Sequence, residues 1–199
     1  ISHETGQFQT YPDYRKIKKY TGVLHPYNFE VFRRRLAAAG MLSQADDFHK
    51  ASGLWSVKLY KADIEMDLRT RNMAGFQLLD IQDYPGQGSA FVGILDAFVE
   101  RKGITTPEEW RQWCSPVVPL LEMKKFCFED GEKIQAKVKV ANYGGSSLKG
   151  KKLKWHLAAE NGLFCMDDGT FSTKDGEVRK NVGDLMAEDE GVLNIFSYD

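Results

Sequence analysis

Sulfur is scarce and long apolar runs are missing, and each shortage removes a class of protein. The 199 residues hold three cysteines, Cys114, Cys127 and Cys165, odd in number and far apart. That spacing gives neither a disulfide framework nor a Cys-x-x-Cys metal site, so buried thiols are expected. No apolar segment approaches the roughly 20 residues of a membrane span, and mean hydropathy is −0.43. A soluble protein without a membrane partner is expected. Excess charge is also lacking: 27 Lys and Arg stand against 28 Asp and Glu, for a net charge of −1. Such a balance supplies no field to attract nucleic acid. Disorder is not expected either, because 42% hydrophobic and 12% aromatic residues suffice for a core. The chain opens on Ile1 with neither an initiator Met nor a signal peptide, the pattern expected of a piece excised from a longer protein.

Cofactor motifs are absent as well. Gly86-Gln87-Gly88 lacks the Lys-Ser/Thr of a phosphate loop and reads as a loop hinge. His3 beside Glu4 has no second histidine at helical spacing, so zinc is not expected. No metal or cofactor is predicted.

Against these absences stands the stretch Gly75 to Gly88, GFQLLDIQDYPGQG. Phe76 to Ile81 is mostly apolar, too short for a stable helix, and bounded by Gly75 and by Tyr84-Pro85-Gly86, which predicts a buried strand. Its downstream end carries Asp80, Gln82, Asp83 and Tyr84. In parallel α/β folds that end is the ligand-binding rim. A core strand running into a polar turn is the plainer alternative.

Ile1 to Gln7 reads as a short strand, with Glu4 a candidate active carboxylate. Gln9 to Thr21 reads as a loop containing Tyr11, Tyr14 and Tyr20, then a basic segment Arg15 to Lys19; its aromatics either pack the loop or stack on sugar faces. Asn28 is the expected N-cap of a helix Phe29–Ala39 closed by Gly40, with Arg33, Arg34 and Arg35 on its wet side. Ser43 is the expected start of a longer helix to about Arg71, striped by Val57, Tyr60, Ile64 and Leu68, which Gly53 weakens or breaks. Strand, helices, strand is the crossover unit of a parallel sheet. Glu4 and the Asp80–Tyr84 cluster then face one cavity.

Phe91 to Phe98 reads as strand or helix, and Thr106-Pro107-Glu108-Glu109 as a capping box opening a short helix with Trp110 and Trp113. Ser115-Pro116 and Pro119 interrupt regular structure. Beyond them Met123–Phe128, Ile134–Ala141, Leu153–Ala158, Glu177–Val182 and Val192–Tyr198 read as strands, with turns at Glu129-Asp130-Gly131 and Asp167-Asp168-Gly169. An antiparallel, immunoglobulin-like β-sandwich is expected there.

ISHETGQ, helices, GFQLLDIQDYPGQG, then GIL, PEEW and a β-sandwich together resemble glycoside hydrolase family two, the β-galactosidase and β-glucuronidase group. The likeness spans nearly the whole chain. It implies that residues 1–116 are the C-terminal part of a TIM (β/α)8 barrel and residues 117–199 an immunoglobulin-like domain. It places Glu4 at the catalytic nucleophile and His3, Gln7, Asp80, Gln82, Asp83 and Tyr84 at substrate-binding positions. His3 is inserted before the glutamate, Thr5 stands where an aromatic is common, and Asp83-Tyr84 replaces a tryptophan. The acid/base glutamate of the family lies on the fourth barrel strand, N-terminal to Ile1, so the chain by itself is expected to be inactive. The resemblance implies a retaining β-glycoside hydrolase as the parent, periplasmic or extracellular. The alternative is a non-catalytic carbohydrate-binding or scaffold module on the same barrel. Expected partners are a β-glycoside, the rest of the parent chain, and a second copy through the cut barrel face.

Overall fold

The computed structural model describes residues 1–127, 134–149, 151–159, 162–170 and 191–195. The chain forms two compact units: Ile1–Asp67 with Gly75–Arg111, and Leu68–Ala74 with Gln112–Asp199.

In the first unit, strand β1 (Ser2–Gly6) pairs in parallel with β2 (Phe76–Leu79). Two helices lie between them in sequence, α1 (Tyr27–Ala38) and α2 (Ala45–Arg69). The expected crossover order is therefore present. β1 is a polar strand, so its own residues do little to favour it. The stripe of α2 does more, since Val57, Tyr60 and Ile64 are 3%, 0% and 0% exposed. Each such aliphatic contributes about 1.5–3 kcal/mol on burial. The Tyr60 ring meets Phe8 and Trp110 edge-on, with centroids 5.2 and 5.7 Å away. Burial pushes its phenol up to about 12, and the hydroxyl donates to the Val92 carbonyl at 2.5 Å.

Several local expectations are corrected. α1 begins at Tyr27 behind Pro26, not behind an Asn28 cap, because the Asn28 amide donates instead to the Gly88 carbonyl at 2.9 Å. Ser43 lies within a 3-10 turn, Leu42–Gln44, and α2 starts at Ala45. Gly53 does not break α2; a Cβ there would stand 2.3 Å from Ile104 Cγ2, so the glycine admits that side chain. Arg15 to Lys19 lies in a 3-10 helix, Tyr14–Lys19. Phe91 to Phe98 is neither strand nor helix. It is tied by single bridging pairs, Gln82 to Leu95 and Leu95 to Arg101. Tyr11, Tyr14 and Tyr20 pack the loop, Tyr11 against Tyr14 and Phe48, Tyr20 against Phe29 and Phe98. Thr106 does cap α3 (Pro107–Trp110), accepting from the Glu109 amide at 3.1 Å. Trp113 lies beyond that helix, buried in the second unit.

That unit contains a sheet of β3 (Val117–Met123), β4 (Ile134–Asn142) and β7 (Gly191–Ile195), in that order and antiparallel, and a hairpin of β5 (Lys152–Ala159) with β6 (Gly162–Thr170). Pro119 sits inside β3 opposite Val140 and does not interrupt it. Among the described residues β3 pairs on one side only, and an edge strand has a free side where a missing N–H costs nothing. Met123 ends β3, so the strand expected over Met123–Phe128 lies earlier. Asp167-Asp168-Gly169 is strand, paired with Leu153 to Trp155, and not a turn. The expected strand Glu177–Val182 and turn Glu129-Asp130-Gly131 lie outside the described residues. Cys127 is exposed, in the loop after β3, and Cys114 partly so; neither is the buried thiol expected. The side chain of Cys165 lies outside the described residues.

Candidate functional site

β1 carries one residue more than β2 opposite it. Ser2 pairs with Phe76 and Thr5 with Leu78, so three steps on β1 span two on β2. This β-bulge undoes the usual alternation of faces. Ser2 and Thr5 turn the same way, their hydroxyls 2.8 Å apart, and Thr5 also donates to Asp67 Oδ2 of α2 at 3.3 Å. His3 and Glu4 between them are both exposed. Glu4 has φ +56° and Gln7 φ +66°, left-handed backbone that non-glycine residues seldom adopt. Such outliers cluster at functional sites, where surrounding structure holds them.

The carboxylate of Glu4 accepts from Gln7 Nε2 at 3.2 Å and lies 3.9 Å from His3 Nε2. His3 is steadied from the other strand, its Nδ1 2.8 Å from Gln77 Oε1. The turn after β1 is fixed by Gly6 N donating to Asp63 Oδ2 at 3.0 Å and Gln7 N donating to the Leu79 carbonyl at 3.0 Å. Gly6 is required here, with φ +103° and the Tyr60 ring where a Cβ would stand.

A cleft of about 290 Å³ opens at the C-terminal ends of the two strands, lined by Gln7, Gln9, Leu79, Asp80, Tyr84 and Gln87, with Ala90 and Val92. Two amides, a carboxylate, a phenol and a further amide thus converge over an apolar floor, the composition of a polar small-molecule site. Tyr84 is 57% exposed and its ring rests against Gly86, whose missing side chain makes the room. Asp80 accepts from the Ile81 amide at 2.5 Å, which orients its carboxylate.

Of the residues predicted from sequence, Gln7, Asp80 and Tyr84 line this cleft; Glu4 and His3 do not, contrary to the expectation of one shared cavity, and Glu4 is joined to the lining only by the hydrogen bond from Gln7 Nε2. Gln82 lies behind, bridging to Leu95. Asp83 points inward: its Oδ1 accepts from Lys102 Nζ at 2.6 Å and from Gly93 N at 3.0 Å. Lys102 Nζ also donates to Thr10 Oγ1 and the Phe91 carbonyl. Burial pushes the Asp83 carboxyl up and the Lys102 ammonium down, each against the charge of its partner. Nearby, Lys16 Nζ lies 2.5 Å from Asp96 Oδ2 and 3.0 Å from Glu100 Oε2, tying the loop to the Tyr14–Lys19 turn. Gln9, Gln87 and Lys102 were not foreseen; Gln87 between two glycines was the one sequence signal. A second cleft, about 190 Å³ and mostly apolar, lies among Leu78, Ile81, Leu95, Pro107 and Trp110. Among the described residues no group of three His, Cys, Asp or Glu is placed to hold a metal ion.

A family described as a domain of unknown function (DUF8488) matches residues 132–188, a span that includes β4, β5 and β6. Comparison with curated proteins gives no match to the chain.

Proposed function

We propose that this chain is the nucleophile-bearing part of a retaining β-glycoside hydrolase similar to glycoside hydrolase family two. The observation that supports this reading is the bulge in β1: Glu4 lies within it, exposed and in left-handed backbone, and its carboxylate accepts from Gln7, a residue that lines the polar cleft. Glu4 would attack the anomeric carbon and form a glycosyl-enzyme intermediate that water then hydrolyses. Retaining chemistry needs a second carboxyl about 5–5.5 Å away as acid and then base. The resemblance assigns that group to the fourth barrel strand. Asp80, Tyr84 and the cleft amides would hydrogen-bond sugar hydroxyls, and Asp83 would serve from beneath by anchoring the loop through Lys102.

A non-catalytic carbohydrate-binding module is favoured by a different observation, that the lining of the cleft is complete without Glu4. Turnover of aryl β-glycosides separates the two. In a protein that joins this chain to the family's acid/base strand, Glu4→Gln is expected to lower turnover by at least about 10³-fold with the fold intact. Near-normal turnover removes Glu4 from the nucleophile role. The chain alone is expected to turn over no aryl β-glycoside, and Glu4-dependent release of the aryl group by it would overturn that expectation.

A further inference from the structure

Two residues before its buried Phe29, α1 carries an aromatic that does not enter the core. Phe29 is 6% exposed, but Tyr27 is 69% exposed. Its ring lies 4.1 Å from the His25 imidazole, tilted by 55°. The imidazole is itself held, with Nε2 3.2 Å from Glu30 Oε1, and the Tyr27 amide donates to the His25 carbonyl at 2.9 Å. Val23 and Leu24, 103% and 56% exposed, extend the apolar surface. Tyr27 is thus exposed yet fixed, so binding against it would forfeit little side-chain freedom.

The location gives this patch its meaning. Asn28, the next residue, donates to the carbonyl of Gly88 at 2.9 Å. Gly88 follows Gln87, which lines the cleft and whose amide donates to the Tyr84 carbonyl at 3.2 Å. Residues 84–88 therefore run from the cleft lining to the carbonyl held by Asn28, the chain neighbour of Tyr27. The C–H face of a pyranose sheds water against an aromatic ring while its hydroxyls stay hydrated.

We propose that Tyr27, steadied by His25, is a second sugar subsite that takes the next residue of a β-linked oligosaccharide whose first residue occupies the cleft. This rests on the carbohydrate reading of the cleft. The subsite selects for chain length, and the cleft for the sugar at the end.

The test uses the full chain against an array of β-1,3- and β-1,4-linked gluco-, galacto-, manno- and xylo-oligosaccharides of one to six residues, followed by calorimetry on the best series. Affinity is expected to rise about tenfold from one residue to two or three. Tyr27→Ala should remove that rise and leave monosaccharide binding unchanged, Tyr27→Phe should retain it, and Tyr84→Ala should weaken binding at every length. A rise that survives Tyr27→Ala overturns the subsite and leaves the cleft reading standing, as does wild-type affinity that is flat with length. Equal loss at all lengths in Tyr27→Ala also overturns it. Absence of binding at any length overturns the carbohydrate reading and the subsite together.

Discussion

Lys102 Nζ stands 2.6 Å from Asp83 Oδ1 where the two side chains are only 3% and 10% exposed. A lysine nineteen residues along the chain thus holds the residue that follows the rim strand. Removing one partner of such a pair leaves a buried charge uncompensated, at a cost of about 3–5 kcal/mol. Lys102→Met is expected to destabilise the first unit by that amount in urea melts. Asp83→Asn keeps an acceptor for Gly93 N but leaves the buried Lys102 ammonium without its counter-charge, and should cost a comparable amount. A Lys102→Met variant within about 1 kcal/mol of wild type would show that the pair contributes little to the fold.

A Cβ at Gly6 would lie 2.1 Å from Tyr60 Cε1, at a residue with φ +103°. Steric overpacking and backbone strain then add, so Gly6→Ala should cost at least about 2 kcal/mol and disturb Gln7 and Glu4. Thermal melts and Trp110 fluorescence would report it, and a melting temperature equal to wild type would contradict it.

Burial raises the Asp67 carboxyl above its ordinary value, the Thr5 hydrogen bond opposes that rise, and the carboxylate of Asp63 one turn earlier adds to it. A carboxyl whose folded value exceeds its unfolded one, about 3.9, favours the fold below the unfolded value. That contribution is lost as pH rises through the folded value. Asp67→Asn keeps an acceptor for the Thr5 hydroxyl and carries no charge. The variant should therefore melt above wild type at pH 7, with the gap closing toward about pH 4. A gap that widens on acidification would reverse the sign of this account.

How much of this was legible in the sequence depended on range. The stripe of Val57, Tyr60 and Ile64 repeats at helical spacing, and Gly75 and Pro85 bracket β2, so local periodicity and punctuation located α2 and the rim strand, although the strand expected to be buried over Phe76–Ile81 ends at Leu79 with none of its residues buried. Thr106-Pro107 carried its cap in its own letters. Asp83 with Lys102, and Asn28 with Gly88, could not be read this way, because each side chain is committed to a partner that no local pattern names. Pro119 misled for a related reason: whether proline is tolerated depends on which side of the strand is paired, a property of the sheet and not of the residue.

β1 and β2 pair only with each other among the described residues, and a two-stranded sheet is marginal on its own. α2 packs against the side to which Ser2 and Thr5 turn, and Leu79 and Ile81 beside them are 36% and 59% exposed. With these edges and apolar side chains exposed, the chain is expected to self-associate through them. Light scattering over a range of concentrations would detect it. A strictly monomeric species with slowly exchanging β2 amides would refute it.

The bulge in β1 has a consequence for insertions and deletions. An extra residue in a regular strand would flip everything on one side of it to the opposite face. Here the surplus is absorbed between Ser2 and Thr5, with Glu4 in left-handed backbone. Loss of His3 would therefore let Glu4 relax to extended backbone and still leave it outward, with Ser2 and Thr5 inward. Strand length and strand facing are uncoupled at this bulge, as they also are where β5 steps from Leu157 to Ala158 against β6, and it is the β1 bulge that holds Glu4.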